Sequence, residues 1–207
     1  MDKIKFGTDG WRAIIAQDFT VENVARVTEA TSKWLLAQFK QPTVVVGHDC
    51  RFAGELFAET TAKVFIANGI KVLLAKGFVS TPMISLGAVK YKTNLGIILT
   101  ASHNPPSYNG YKIKAHYGGP LGPDEVQEVE DLIPNSANGN YKTIDLKDAE
   151  TKGLLEIVNL EDLYIKHVEA NFDIAAIKKA NLNLAYDSMF GAGQRVMSRL
   201  FPEIHHL

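Results

Sequence analysis

Ser102 and His103 stand side by side in the stretch TASHNPPSYNGYK (100–112), directly after the apolar run LGIIL (95–99). A serine hydroxyl becomes a useful nucleophile through a neighbouring base or through surroundings that tolerate developing charge, and His103 and Lys112 are candidates for both. LGIIL reads as a buried strand. Asn104, Pro105 and Pro106 then force extended or turning backbone, because proline fixes its own φ and restricts the residue before it. The serine is therefore expected on a stiff loop at a strand end, where α/β proteins carry their sites. Adjacency alone supplies no hydrogen-bond geometry, and the glycine-flanked nucleophile elbow of the α/β-hydrolases is absent. A Ser-His pair in a polar surface loop remains the other reading of these residues.

Two further segments share the same character. FGTDGWR (6–12) holds Gly7, Thr8, Asp9 and Gly10 ahead of Arg12, a loop whose glycines let backbone approach a phosphate and let the guanidinium fold over it. GHDCR (47–51) puts Asp49 and Arg51 after the β-rich run 43–46. Each segment has a plainer reading: a turn before Trp11 for Arg12, a solvated strand lysine for Lys112, and an ion pair bracing the serine loop for Asp49 and Arg51.

In this order the three segments resemble the α-D-phosphohexomutases, the family of phosphoglucomutases and phosphomannomutases. Trp11 before Arg12, and YNGYK after the prolines, look more like the hexose phosphomutases than the phosphoglucosamine mutases. The resemblance implies that Ser102 carries a phosphoryl group, donates it to a hexose phosphate, and recovers one from the other end of a hexose 1,6-bisphosphate after the sugar turns round, with net transfer between C1 and C6. Such chemistry needs positive charge and in-line positioning more than a strong base. The resemblance places Arg12 and Lys112 as catalytic cations, and Thr8, Asp49, Arg51, Thr100 and Asn104 as phosphate contacts or loop support. His103 is left as either a proton shuttle or a loop-holding group.

The same resemblance implies Mg²⁺, which Ser102 would meet through its phosphoryl oxygen. The family's Asp-x-Asp-Gly-Asp-Arg string of metal ligands does not occur in this sequence. The expectation is therefore an N-terminal portion of a mutase, inactive as it stands. The alternative is a stand-alone, non-catalytic phosphosugar-binding or scaffold domain.

The elements that must position these residues alternate along the chain. Residues 21–39 place Val24, Val27, Thr31, Trp34 and Leu35 at helical spacing with Thr20 as N-cap; strands are expected over 43–47 and 70–75, and helices over 55–68 and 81–91. Residues 111–114 are expected to return beside the 95–99 strand, and 124–133 to form an acidic helix serving as a solvated cover. This β-α-β order predicts a three-layer α/β/α domain with a mainly parallel mixed sheet, followed by the start of a second α/β domain. The linker-like PNSANGNY (134–141) sets the expected division at 1–140 and 141–207. Beyond it, 160–172 reads as a helix on which His167 has a packing or solvent role, 182–186 as a strand, and 194–201 as a helix after Gly191-Ala192-Gly193. An unpartnered strand there predicts an open edge and a homodimer through the second region.

Lys plus Arg number 22 against 23 Asp plus Glu, a net charge of −1, which argues against a broad basic face for nucleic acid. The lone Cys50 excludes an internal disulfide, and its place in GHDCR is read as incidental. No apolar stretch has signal-peptide or membrane-span length, so a cytoplasmic location is expected.

Overall fold

Apolar runs alternating with amphipathic ones become strands and helices in the computed structural model, which describes residues 4–207. β1 (Trp11–Ile14), β2 (Thr43–His48), β3 (Lys71–Ala75), β4 (Leu95–Leu99), β5 (Tyr108–Ala115) and β6 (Leu155–Val158) form one six-stranded sheet in the order β1-β5-β4-β2-β3-β6. β2 pairs parallel with β3 and β4, and β3 with β6; β5 runs antiparallel to both β4 and β1. Successive side chains of a strand point to opposite faces, so Val44 and Val46 enter one core and Val45 the other. Both cores exist because helices cover both faces, which is why these strands read as continuous apolar runs.

One face carries α1 (Val21–Gln38), α2 (Gly54–Ala67) and α4 (Pro123–Asp131); the other carries α3 (Thr81–Lys90), α6 (Leu160–Asn171) and α8 (Gln194–Leu200). This is the expected α/β/α arrangement with a mainly parallel mixed sheet. Thr20 caps α1 as its type predicts, accepting the Asn23 N–H at 3.2 Å. Among the described residues no helix is long and apolar enough to cross a membrane.

Several expectations are corrected. α4 is more than a solvated cover: Glu128 accepts the Trp34 indole N–H at 2.7 Å, and the buried Glu130 accepts the backbone N–H of Phe6. The segment 134–141 is tied to α1, with Arg26 donating to Pro134 O at 2.7 Å and Glu22 and Glu29 accepting the N–H groups of Ala137 and Asn138. The first core also does not finish there, because β6 extends the sheet beyond β3. The expected strand over 182–186 shrinks to β7 (Ala185–Tyr186), which is not orphaned: it pairs parallel with β8 (His205–His206). α5 (Leu146–Thr151) precedes β6, and α7 (Ile174–Lys179) lies between α6 and β7.

Candidate functional site

From β2 the chain moves to β3 on one side and later returns to β4 on the other, so the loops after β2 and β4 diverge from adjacent strands. Such a switch point opens a crevice at the carboxyl ends of the strands. Asp49, Cys50 and Arg51 follow β2 there, and Ser102 follows β4.

Arg51 is the spool of the serine loop. Its Nη1 donates to the carbonyl oxygens of Pro105 (2.8 Å) and Tyr108 (2.9 Å), and its Nη2 to those of Ser102 (2.9 Å) and Asn104 (2.6 Å). A loop stiffened by two prolines lacks N–H groups to satisfy its own carbonyls, and one planar guanidinium supplies the missing donors. Asp49 holds this cation in place, with Oδ2 3.6 Å from Arg51 Nε and Oδ1 accepting the Arg51 backbone N–H at 2.9 Å. Of the two roles open for Asp49 and Arg51, these contacts are those of loop support.

Thr100 links the two loops. Its buried hydroxyl donates to Asp49 Oδ2 and accepts the Ser102 N–H at 3.1 Å. Ser102 lies at φ +57°, a left-handed conformation uncommon for a residue with a Cβ, and its hydroxyl is exposed. Strained backbone of this kind persists only where neighbours over-determine it, and Thr100 and Arg51 grip the serine on either side. His103 Nδ1 is 3.4 Å from Ser102 Oγ, a long contact within reach of a small rotation.

Arg12 reaches the loop through Asn104, with Nη1 3.3 Å from its Oδ1. Lys112 takes a different position: it is buried within β5, and its ammonium lies 2.5 Å from Asp9 Oδ2. Lys114, on the same face of β5, lies 3.3 Å from Asp9 Oδ1. Burial pushes the Asp9 carboxyl up, but the hydrogen bond and charge of Lys112 and the charge of Lys114 oppose it and hold it below the ordinary value. The plain reading of Lys112 as a solvated strand lysine is therefore corrected. Gly10 is needed for this packing. At φ +96° a Cβ there would stand 2.7 Å from Lys112 Cγ and 2.6 Å from the Tyr111 carbonyl oxygen. Thr8 sits exposed in the same loop.

A cavity of about 760 Å³ opens over Ser102, lined by His103, Asn104, Thr100, Asp49, Arg51, the start of α3 at Ser80–Pro82, and residues 189–192. Arg12, Thr8 and Lys112 are not in its wall. Cys50, read as incidental, is in it, and burial followed by the Asp49 charge pushes its thiol up. The wall over 189–192 comes from far along the chain. Met189 and Phe190 both have positive φ and are 81% and 90% exposed, an arrangement of which the glycine-rich turn Gly191-Ala192-Gly193 was the only sign.

The residues present do not fit a Mg²⁺ site. Asp49 is the one carboxylate in the wall, and both its oxygens are engaged by Thr100 and Arg51. Among the described residues no group of three or more His, Cys, Asp or Glu could hold a metal ion.

The family model for phosphoglucomutase/phosphomannomutase, alpha/beta/alpha domain I, matches residues 3–140. A Haemophilus influenzae protein assigned as a phosphomannomutase is 30% identical over 179 residues, 85% of this chain and 36% of its own length. A phosphoglucosamine mutase of Alkaliphilus metalliredigens is 33% identical, over 96% of this chain and 44% of its own. The crystal structure of a Thermus thermophilus protein assigned as a phosphomannomutase superposes with a TM-score of 0.87 at 35% identity, over 99% of this chain and 45% of its own. The chain thus spans less than half the length of each of these relatives. Identity at this level does not divide sugar substrates, since a phosphoglucosamine mutase matches as well as a phosphomannomutase.

Proposed function

The chain belongs to the phosphoglucomutase/phosphomannomutase family, and from that premise we propose that Ser102 carries the phosphoryl group of a hexose phosphomutase. The observation that carries this reading is the Ser102 backbone, held left-handed by Thr100 and Arg51 with its hydroxyl exposed to a roomy cavity. In the proposed cycle the serine oxygen gives its phosphoryl group to a hydroxyl of a hexose phosphate. The bisphosphate turns in the cavity, and the serine accepts the phosphoryl group from the other end, joining C1 and C6 in one equilibrium. His103, 3.4 Å away, is the group that takes and returns the hydroxyl proton. Arg12 and Arg51 supply fixed positive charge around the loop.

Mg²⁺ does not fit the residues present, and no step is routed through it. Mutase turnover by these 207 residues alone is accordingly expected to be poor. That same lack of a carboxylate set among the described residues favours a second reading, a module that binds a hexose phosphate without exchanging its phosphate.

Intact mass before and after phosphatase, with peptide mapping, tests the proposal. One phosphatase-sensitive phosphoryl group on the Ser102 peptide of the protein as the cell makes it, absent from Ser102→Ala, is expected. An unmodified Ser102 that hexose 1,6-bisphosphate also fails to label overturns it. Glucose 1-phosphate binding without label then supports the second reading.

A further inference from the structure

Lys112 and Lys114 are the most deeply buried cations near the serine loop, with side chains 5% and 9% exposed, and they share the carboxylate of Asp9, itself 39% exposed. No other acidic group lies within ion-pair distance of either ammonium among the described residues, so the cluster holds an excess positive charge. A buried charge without full compensation is costly and draws in a further anion. Strand register shows the direction from which one can come. Ile98 pairs with Lys112 and Gly96 with Lys114, while Arg12 pairs with Gly110, which hydrogen-bonds Thr100. At a side-chain period of two, Lys114, Lys112 and Arg12 lie in file on one face of the sheet, leading toward the serine loop.

We propose that Asp9 is a built-in counter-ion that a phosphomonoester dianion displaces from Lys112, and that Lys114 keeps Asp9 neutralised once Lys112 has moved to the phosphate. The inference rests on the reading of Ser102 as a phosphoryl-transfer site and assigns Asp9 and Lys114 as its positioning residues. With Lys112 as its only partner, Asp9 would be stripped by the exchange. Lys114, already 3.3 Å from the other carboxylate oxygen, prevents that. Asp9 is half in solvent, and the loop that carries it is closed by Gly7 N–H to Gly10 O at 2.9 Å and lies flat on the Lys112 stem. The carboxylate can therefore be reached and exchanged without opening the sheet.

The side-chain CH₂–NH₃⁺ resonances of Lys112 and Lys114, assigned with Lys112→Arg and Lys114→Arg, are to be followed by NMR as inorganic phosphate is added to the intact chain. The wild-type titration needs no further variant: the Lys112 signal is expected to move and that of Lys114 to stay. Asp9→Asn is expected to bind phosphate about three- to tenfold more tightly, and Lys114→Met about as much more weakly. A Lys112 signal that stays still while the Ser102 and Arg12 amides respond overturns the exchange and leaves the phosphoryl-transfer reading intact. Silence of all of these signals sinks both. Tightening lost or reversed in a folded Asp9→Asn makes Asp9 scaffold only and also overturns the exchange. Repeating the titration with Ser102 phosphorylated identifies the source: a Lys112 signal already displaced marks the serine's own phosphate, and one still to be moved marks a free ester.

Discussion

Glycine and alanine at position 102 separate what the backbone does there from what the hydroxyl does. At φ +57° a residue with a Cβ is disfavoured by roughly 1–2 kcal/mol, which glycine avoids, while glycine adds about 0.5–1 kcal/mol of chain entropy to folding. Ser102→Gly is therefore expected to be more stable than Ser102→Ala by about 0.5–1 kcal/mol in urea denaturation, with both unable to carry phosphate. Equal stabilities would mean that the loop relaxes out of the left-handed conformation when the hydroxyl is removed. The strain survives because Thr100 fixes the Ser102 N–H and Arg51 its carbonyl, the second a hydrogen bond from a charged group worth about 1.5–3 kcal/mol.

Helix α1 acts at the scale of elements by holding the segment 134–141 against the first core. Arg26 binds Pro134 O, Glu22 the N–H of Ala137 at 2.8 Å and Glu29 that of Asn138 at 2.6 Å. Burial raises the Glu29 carboxyl above its ordinary value of 4.5, more than the Asn138 hydrogen bond lowers it. The folded chain thus keeps this proton to higher pH than the unfolded chain. The contribution of Glu29 is most favourable in acid and falls as pH rises through 4.5 toward the raised value. Glu29→Gln keeps an acceptor for Asn138 without the titration, so its urea midpoint should fall less than that of the native chain across this window. Parallel pH profiles for the two proteins would rule Glu29 out as the cause.

Across the whole molecule, the Ser102 cavity depends on how the segment beyond α7 sits on the first sheet. Glu161 receives Arg195 at 2.6 Å and Arg199 at 2.7 Å, and the Arg195 guanidinium lies 3.8 Å over the Phe78 ring while donating to its carbonyl at 2.8 Å. Partly exposed pairs are worth about 0.2–1 kcal/mol each. Glu161→Ala should therefore speed proteolysis near 189–193 by roughly two- to fivefold and leave the sheet protected, as limited proteolysis with mass mapping would read. Unchanged cleavage would assign the docking to Val196 and Leu200 in the second core. The sequence alone determined the strand and helix alternation, the α/β/α class, the cap on α1 and the stiff loop bearing Ser102, because hydrophobic period, capping and proline restraint act over a few neighbouring residues. The three motifs at 6–12, 47–51 and 100–112 are enough to mark the family without any geometry. Only the tertiary structure decided that Arg51 clamps carbonyls 51 to 57 residues away, that Lys112 is buried against Asp9 103 residues earlier, that β6 joins the first sheet, and that residues 189–192 wall the cavity. Those contacts follow from strand order and register, and no local pattern carries that information, since the same apolar run fits any interior place in a sheet whose faces are both covered.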